Sequence, residues 1–228
     1  MKTQLLSLTL LLGLVVLPAQ ATTYDLANDW SYASNPNGVW SYRNSAGTVL
    51  PFVAARASDP WSTAQPAWGD VPGWFKSNGT EQFTHDWLLG DVITHSASQV
   101  YWTSPATNQV AITGAVWATR DIGRFNTWTL YLNSTPLTSG VIGSGDPYSR
   151  GNPFDLAAGS GGASVLSNMV VSPGDNIRLS FDGGDYAGVR LSITTLSVGG
   201  GTAPEPGTFS LLVLGASAAH IARRRKMA

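Results

Sequence analysis

The sequence predicts an all-β fold: an antiparallel two-sheet β-sandwich of jelly-roll type, flanked by an N-terminal signal helix and a C-terminal membrane helix. Three observations predict it. Several windows of the 228-residue chain alternate apolar and polar residues with a period of two. Clusters of Gly, Pro, Asn and Asp punctuate those windows, as tight reversals require. Glu and Lys, which coat helical faces, are scarce, whereas Thr, Val, Trp and Tyr abound. Between the two ends no long window has a convincing helical period, and many short strands separated by turns argue for a sandwich.

The elements follow in chain order. Residues 1–21 read as a secretory signal peptide: Lys2 as a basic start, the uncharged apolar run Leu5–Leu17, and Ala19-Gln20-Ala21 as a small-x-small cleavage site, so that the mature chain begins at Thr22. A membrane anchor is the other reading, against which stand the short run and the well-placed cleavage site. Residues 22–198 form the predicted β-sandwich ectodomain. Its weaker strand candidates are Trp30–Ala33, Val39–Arg43, Thr48–Val53, Val100–Thr103 and Met169–Val171. Gln109–Thr119 is the clearest, with Val110, Ile112, Gly114 and Val116 on one face and Ala111, Thr113, Ala115 and Trp117 on the other. Thr127–Asn133 turns Trp128, Leu130 and Leu132 inward and Thr127, Thr129 and Tyr131 outward. Asn176–Asp182 turns Ile177, Leu179 and Phe181 inward and Arg178 and Ser180 outward, and Val189–Thr195 buries Val189, Leu191 and Ile193. Asn35-Pro36-Asn37-Gly38, Ser172-Pro173-Gly174-Asp175 and Asp182-Gly183-Gly184-Asp185 fit tight turns, where Gly takes positive φ and Pro fixes φ. Residues 55–90 fit no strand pattern and interleave Trp61, Trp68, Trp74 and Trp87 with Pro60, Pro66 and Pro72; Gly140–Gly162 is a second irregular stretch.

Residues 199–207 form a Gly/Pro linker that ends in Pro204-Glu205-Pro206-Gly207, and residues 208–228 hold the apolar run Phe209–Ala222 followed by Arg223, Arg224, Arg225 and Lys226. Such a run makes a helix of about 21 Å against a hydrocarbon core of about 30 Å. The terminal arginines can snorkel and extend that span. Basic flanks stay on the cytoplasmic side, which places everything before Pro204 outside the membrane. A small amphipathic or buried helix with a basic tail is the alternative that length alone permits. The order of Pro-Glu-Pro, apolar run and terminal Arg cluster resembles the PEP-CTERM sorting signal of Gram-negative bacteria. The resemblance covers about the last 25 residues. It implies recognition by an exosortase-type, transpeptidase-like membrane protease, cleavage near Pro204-Glu205-Pro206 and transfer to another surface molecule. The body, through Asn35–Tyr42, Gly90-Asp91-Val92, Val100-Tyr101-Trp102, Gly174-Asp175 and Asp185-Tyr186, is similar in outline to jelly-roll carbohydrate-binding ectodomains. That second likeness transfers no binding residues.

Composition sets further bounds. The exported part holds 8 of the 13 Lys/Arg, because Lys2, Arg223, Arg224, Arg225 and Lys226 lie at the ends, and 13 of the 14 Asp/Glu, giving a net charge of −5. A sparsely charged, acidic body argues against nucleic acid as a partner. Cysteine is absent, which excludes thiol nucleophiles, thiolate zinc sites and disulfides. His85 and His95 are the only histidines of the body, too few for a His-rich metal centre.

All nine tryptophans lie between Trp30 and Trp128. Trp61, Trp68 and Trp74 are the candidate ligand platform, because a flat ring stacks against the apolar face of a sugar while Asp59, Gln65, Asp70 and Asn78 nearby offer polar contacts. The competing reading has these rings pinning the loop to the core. Calcium is a possible cofactor, with Asp182, Asp185 and Asn176 as one oxygen-rich set and Asp29, Asn35 and Asn37 as another, although Asp and Asn in Gly-rich turns commonly just form the turn. His85-Asp86 and Asp91-x-x-x-His95 can be read as arms of a metal site or as ordinary packed histidines. Glycosidase chemistry needs two convergent carboxylates; Glu81 and twelve Asp are present without a pattern that picks a pair. No nucleophile elbow or phosphate loop occurs. The sequence therefore predicts an exported, non-enzymatic surface protein whose partners are the processing protease and the membrane before processing, with polysaccharide as the candidate ligand. A structural matrix protein without a small ligand and a secreted glycan-active enzyme are the alternatives.

Overall fold

The computed structural model describes residues 20–54, 60–62, 71–79 and 85–196. Residues 1–19 of the signal peptide, the linker and the C-terminal segment, with Ala19, Pro204, Glu205, Pro206, Arg223, Arg224, Arg225 and Lys226, lie outside these residues, whereas Ala21 lies within them, exposed and outside any strand. Among the described residues no helix is long and apolar enough to cross a membrane.

The described residues contain thirteen strands in two antiparallel sheets: β1 (Thr23–Asp25), β2 (Trp40–Asn44), β3 (Trp61–Ser62), β4 (Gly73–Lys76), β5 (Val92–His95), β6 (Ser98–Thr103), β7 (Asn108–Ala118), β8 (Phe125–Leu132), β9 (Thr135–Gly143), β10 (Phe154–Asp155), β11 (Met169–Val171), β12 (Asn176–Phe181) and β13 (Ala187–Leu196). The larger, eight-stranded sheet runs β10-β7-β13-β5-β4-β3, with β1 paired to β13 and β11 to β7. The five-stranded sheet runs β2-β6-β12-β8-β9. Short 3-10 turns at Leu156–Ala158 and Ala163–Leu166 are the only helical pieces among the described residues.

The alternation in sequence becomes the core. Val110, Ile112 and Val116 of β7 and Val189, Leu191 and Ile193 of β13 face Trp128 and Leu130 of β8 and Ile177, Leu179 and Phe181 of β12 in one buried cluster. Each residue placed inward on these four strands from its sequence does point inward, with Leu132 packed at the rim. Two weak strand expectations are corrected. Trp30–Ala33 is irregular, because Tyr32 turns aside to exchange hydrogen bonds with the Lys76 backbone. Thr48–Val53 makes only isolated bridges, Val49 to Arg43 and Phe52 to Trp61. Of the two readings of 55–90, hidden short strands or a long functional loop, the first holds for its described part, which contains β3 and β4, and 140–162 contains the end of β9 and all of β10.

The outer face of the eight-stranded sheet carries a second, smaller cluster of Phe75, Trp87, Ile93, Trp117 and Tyr186. Phe75 and Ile93 are the outward neighbours of inward Trp74 and Val92, so β4 and β5 are covered on both faces.

Candidate functional site

The structure places Trp61 and Trp74 in the core, which corrects the ligand-platform expectation for both. They are cross-strand partners on β3 and β4, with exposures of 3% and 0%. Trp61 Nε1 donates to the Ser31 carbonyl at 3.0 Å. Tyr42 of β2 lies 6.4 Å from the Trp61 ring and 6.0 Å from the Trp74 ring, and Phe181 lies 6.2 Å from the Trp74 ring. The cause is strand parity: the inward positions of this edge hairpin face the other sheet, so no ring face is left for a sugar. Burial, aided by nearby Tyr32 and Asp29, pushes the Tyr42 hydroxyl pKa far up, so it stays neutral. Trp68 lies outside the described residues.

The first calcium set does not converge. Asn176 and Asp182 flank opposite ends of β12, about 20 Å apart along an extended strand. Asp185 is 4% exposed and takes a bidentate pair from Arg120, with Nη2 at 2.8 Å and Nε at 3.0 Å. Asp182 accepts from the Thr127 amide. The second set forms turns: Asn35 donates to the Tyr42 and Leu50 carbonyls, Asn37 to the Asp29 carbonyl, and Asp29 accepts from Trp40 Nε1. Among the described residues no three His, Cys, Asp or Glu side chains cluster as metal ligands would.

His85 and His95 do come together, as aromatic packing around Tyr186. His95 stacks on Tyr186 at 4.1 Å, and its Nδ1 lies 2.9 Å from the Val71 carbonyl. His85 stacks on Trp87 at 4.1 Å and meets Tyr186 edge-on at 5.2 Å. Burial, followed by the Arg120 charge, pushes the His85 pKa down to about 4. Arg150 bonds Asp91 through its guanidinium and Asp86 through its backbone amide. An adjoining cavity of about 240 Å³ is lined by Asp86, Asp121, Asp146 and Arg120. Its carboxylates are already engaged: Asp146 accepts from the Gly143 and Tyr148 amides, Asp121 from the Ser144 hydroxyl and Asp86 from the Arg150 amide.

The five-stranded sheet offers a different surface. Its register aligns Ser41, Tyr101, Arg178, Tyr131 and Pro136 in one row across β2, β6, β12, β8 and β9. The Arg178 guanidinium carbon sits 3.9 Å from the Tyr131 ring centre and 5.8 Å from that of Tyr101. Arg43 covers Tyr101 from β2 at 4.4 Å. Arg43 Nε donates to Ser41 Oγ, and the Tyr101 hydroxyl donates to Gln99 Oε1. Outward Thr129 and Ser180 are paired beside the row. Such contacts hold each cation against a ring at about 0.5–1 kcal/mol apiece when solvent reaches them. Sequence reasoning had Arg178 and Tyr131 facing outward, but only the register reveals that they touch. A basic residue and aromatics at outward positions of separate strands was the available signal.

No protein-family model and no curated protein matches this chain. Among solved structures, the C-terminal CBM6 of LamC, a marine laminarinase from Zobellia galactanivorans, is similar at 12% identity and a TM-score of 0.31, over 68% of this chain and 98% of that one. The catalytic domain of a GH87 alpha-1,3-glucanase in complex with nigerose is similar at 13% identity and a TM-score of 0.28; 82% of this chain corresponds to 30% of that one. At these values neither likeness bears on what this chain binds or does.

Proposed function

We propose that this chain is an exported protein sorted to the cell surface or extracellular matrix, with a non-enzymatic jelly-roll body that binds polysaccharide on the outer face of its five-stranded sheet. The observation that carries the binding is the Tyr101–Arg178–Tyr131 row. The outward tyrosines, with Ser180 and Thr129 beside them, supply apolar ring surface and hydrogen-bonding groups together on a rigid sheet, as sugar recognition needs. The jelly-roll assignment draws support from the connections, in which β5 passes to β6 in the other sheet, β6 back to β7, and β12 across to β13. The non-catalytic reading draws support from Asp86, Asp121 and Asp146, whose carboxylates serve backbone and hydroxyl donors of their own loops. Export and sorting rest on the two terminal patterns, with an exosortase-type protease as processing partner and the membrane as the holding site before processing.

Two measurements test the two halves. The full-length chain is produced with and without an exosortase-type protease, and the cells are fractionated. A membrane-held product without the protease and a shorter, released or surface-borne product with it are expected; a cytosolic product overturns the export reading. Detergent-solubilised full-length protein is then run in gels containing neutral or acidic polysaccharide. Retardation by any of them supports binding, and unchanged mobility in all of them overturns it.

A further inference from the structure

We infer that the outer face of the five-stranded sheet takes a carboxylated polysaccharide, held by Arg43 and Arg178 between Tyr101 and Tyr131. This rests on the polysaccharide reading above and adds the charge and chemical class of the ligand.

The argument begins with charge. The exported part is net acidic by five, yet the outward positions of the sheet carry two cations and no carboxylate. Ser41 and Arg43 come from β2, Gln99, Tyr101 and Thr103 from β6, and Asn176, Arg178 and Ser180 from β12. Phe125, Thr127, Thr129 and Tyr131 come from β8, and Ser139 and Val141 from β9. Asp182 lies just past the end of β12, occupied by the Thr127 amide. Among the described residues, both ion pairs fall on other arginines, Arg120 with Asp185 and Arg150 with Asp91. Arg43 and Arg178 have tyrosine rings where those two have carboxylates.

The guanidinium donors are also underused. Each guanidinium offers five N–H donors. Arg178 reaches the Tyr101 hydroxyl with Nη1 at a long 3.4 Å, and its Nε is buried without a partner among the described residues, so the edge it turns to a ligand is its Nη pair. Arg43 uses Nε on Ser41 Oγ and Nη1 on the Gly47 carbonyl. Stacking on tyrosine holds each fork in place without satisfying its edge. A planar fork with open edge donors matches a carboxylate bidentately, which a compact ammonium does not.

Length and charge density choose among anions. The row from Ser41 to Pro136 spans four strand spacings, about 19 Å, so it suits a polymer better than a single sugar. Nucleic acid carries one charge per about 1.7 Å of duplex, and the acidic body repels so dense a polyanion. A uronate polymer carries at most one charge per ring. It also brings hydroxyls to Ser180 and Thr129 and ring faces to the tyrosines.

The test is affinity electrophoresis of detergent-solubilised full-length protein in gels containing polygalacturonate, a neutral β-glucan or no polymer, with single-stranded DNA as competitor. Polygalacturonate should retard the protein more than glucan does, and high salt should weaken that retardation. Arg43→Gln/Arg178→Gln should weaken acidic binding by roughly tenfold or more, weaken glucan binding less, and leave the far-UV circular dichroism spectrum unchanged. Ser180→Asp, which sets a carboxylate beside Arg178 without removing any ring contact, should weaken it as well; this second variant decides the matter if the double variant misfolds. Equal acidic binding by wild type and both folded variants overturns the inference, as does stronger binding of DNA. Retardation by glucan alone overturns it while leaving the polysaccharide reading intact, and no retardation by any polymer overturns both.

Discussion

The two outer faces of the sandwich use the same kinds of residue to opposite ends. On the eight-stranded sheet, arginines and aromatics are closed off. Arg120 is paired to Asp185, Arg150 to Asp91, and Tyr186 lies under His85 and His95. Arg190 is the exception on this face: exposed, it lies 5.0 Å from the Trp117 ring and donates to the Arg150 carbonyl. On the five-stranded sheet, Arg43 and Arg178 rest on tyrosines with no carboxylate beside them. An arginine neutralised by a buried aspartate has its donors and charge spent inside the molecule, and removing either partner strands the other. An arginine stacked on a ring keeps both for an incoming group. The first face is therefore closed where the Phe75–Trp87–Ile93–Trp117–Tyr186 cluster covers it, and the second is a surface available for recognition.

Changes on the closed face should cost the most stability. A Cβ at Gly188 would fall 2.0 Å from the Trp117 ring, so Gly188→Ala should destabilise by about 3 kcal/mol through overpacking, read as a lower urea midpoint. Asp185→Ala should cost about 2 kcal/mol in the same assay, less than a wholly buried pair because the Arg120 side chain keeps 28% exposure. The closed face should also respond to acid. His85 titrates near 4 when folded against 6.5 for an ordinary imidazole, so the unfolded chain binds the proton first. Its contribution is complete above about pH 6.5, falls as the pH drops toward 4, and changes no further below that. His85→Gln should flatten that part of the stability-against-pH curve; an unchanged slope would remove His85 from the account. The open face should barely register in stability. Arg43→Gln/Arg178→Gln should cost only about 1 kcal/mol in urea, and a loss as large as that of Gly188→Ala would reassign this face to the structural side of the comparison.

How much of this was legible follows from how each strand is buried. β7, β8, β12 and β13 have one apolar face and one mixed face, so their alternation stood out. β4 and β5 are covered on both faces, by Trp74 and Val92 within and by Phe75 and Ile93 without, which erases the period-two signal. β9 was hidden by Pro136, Ser139 and Gly140; the glycine is there because a Cβ would come within 2.7 Å of the Trp128 ring. The site was harder still. Tyr101, Tyr131 and Arg178 belong to strands distant in sequence, and hydrogen-bond register alone puts them in one row. Conversely, the density of tryptophan around Trp61 and Trp74 resembled a binding loop until the parity of β3 and β4 turned both rings inward.

The first and last strands meet: Thr22 and Thr195 exchange backbone and hydroxyl hydrogen bonds, and Thr23–Asp25 pairs with Ser192–Thr194. The last strand is also zipped along its length to β7, from Ala187 opposite Ala118 to Leu196 opposite Gln109. A tether fixed beyond Leu196, with drag applied elsewhere on the body, would pull parallel to that long ladder. Its bonds would then be sheared collectively rather than peeled in succession, so the body would resist load applied along its last described strand.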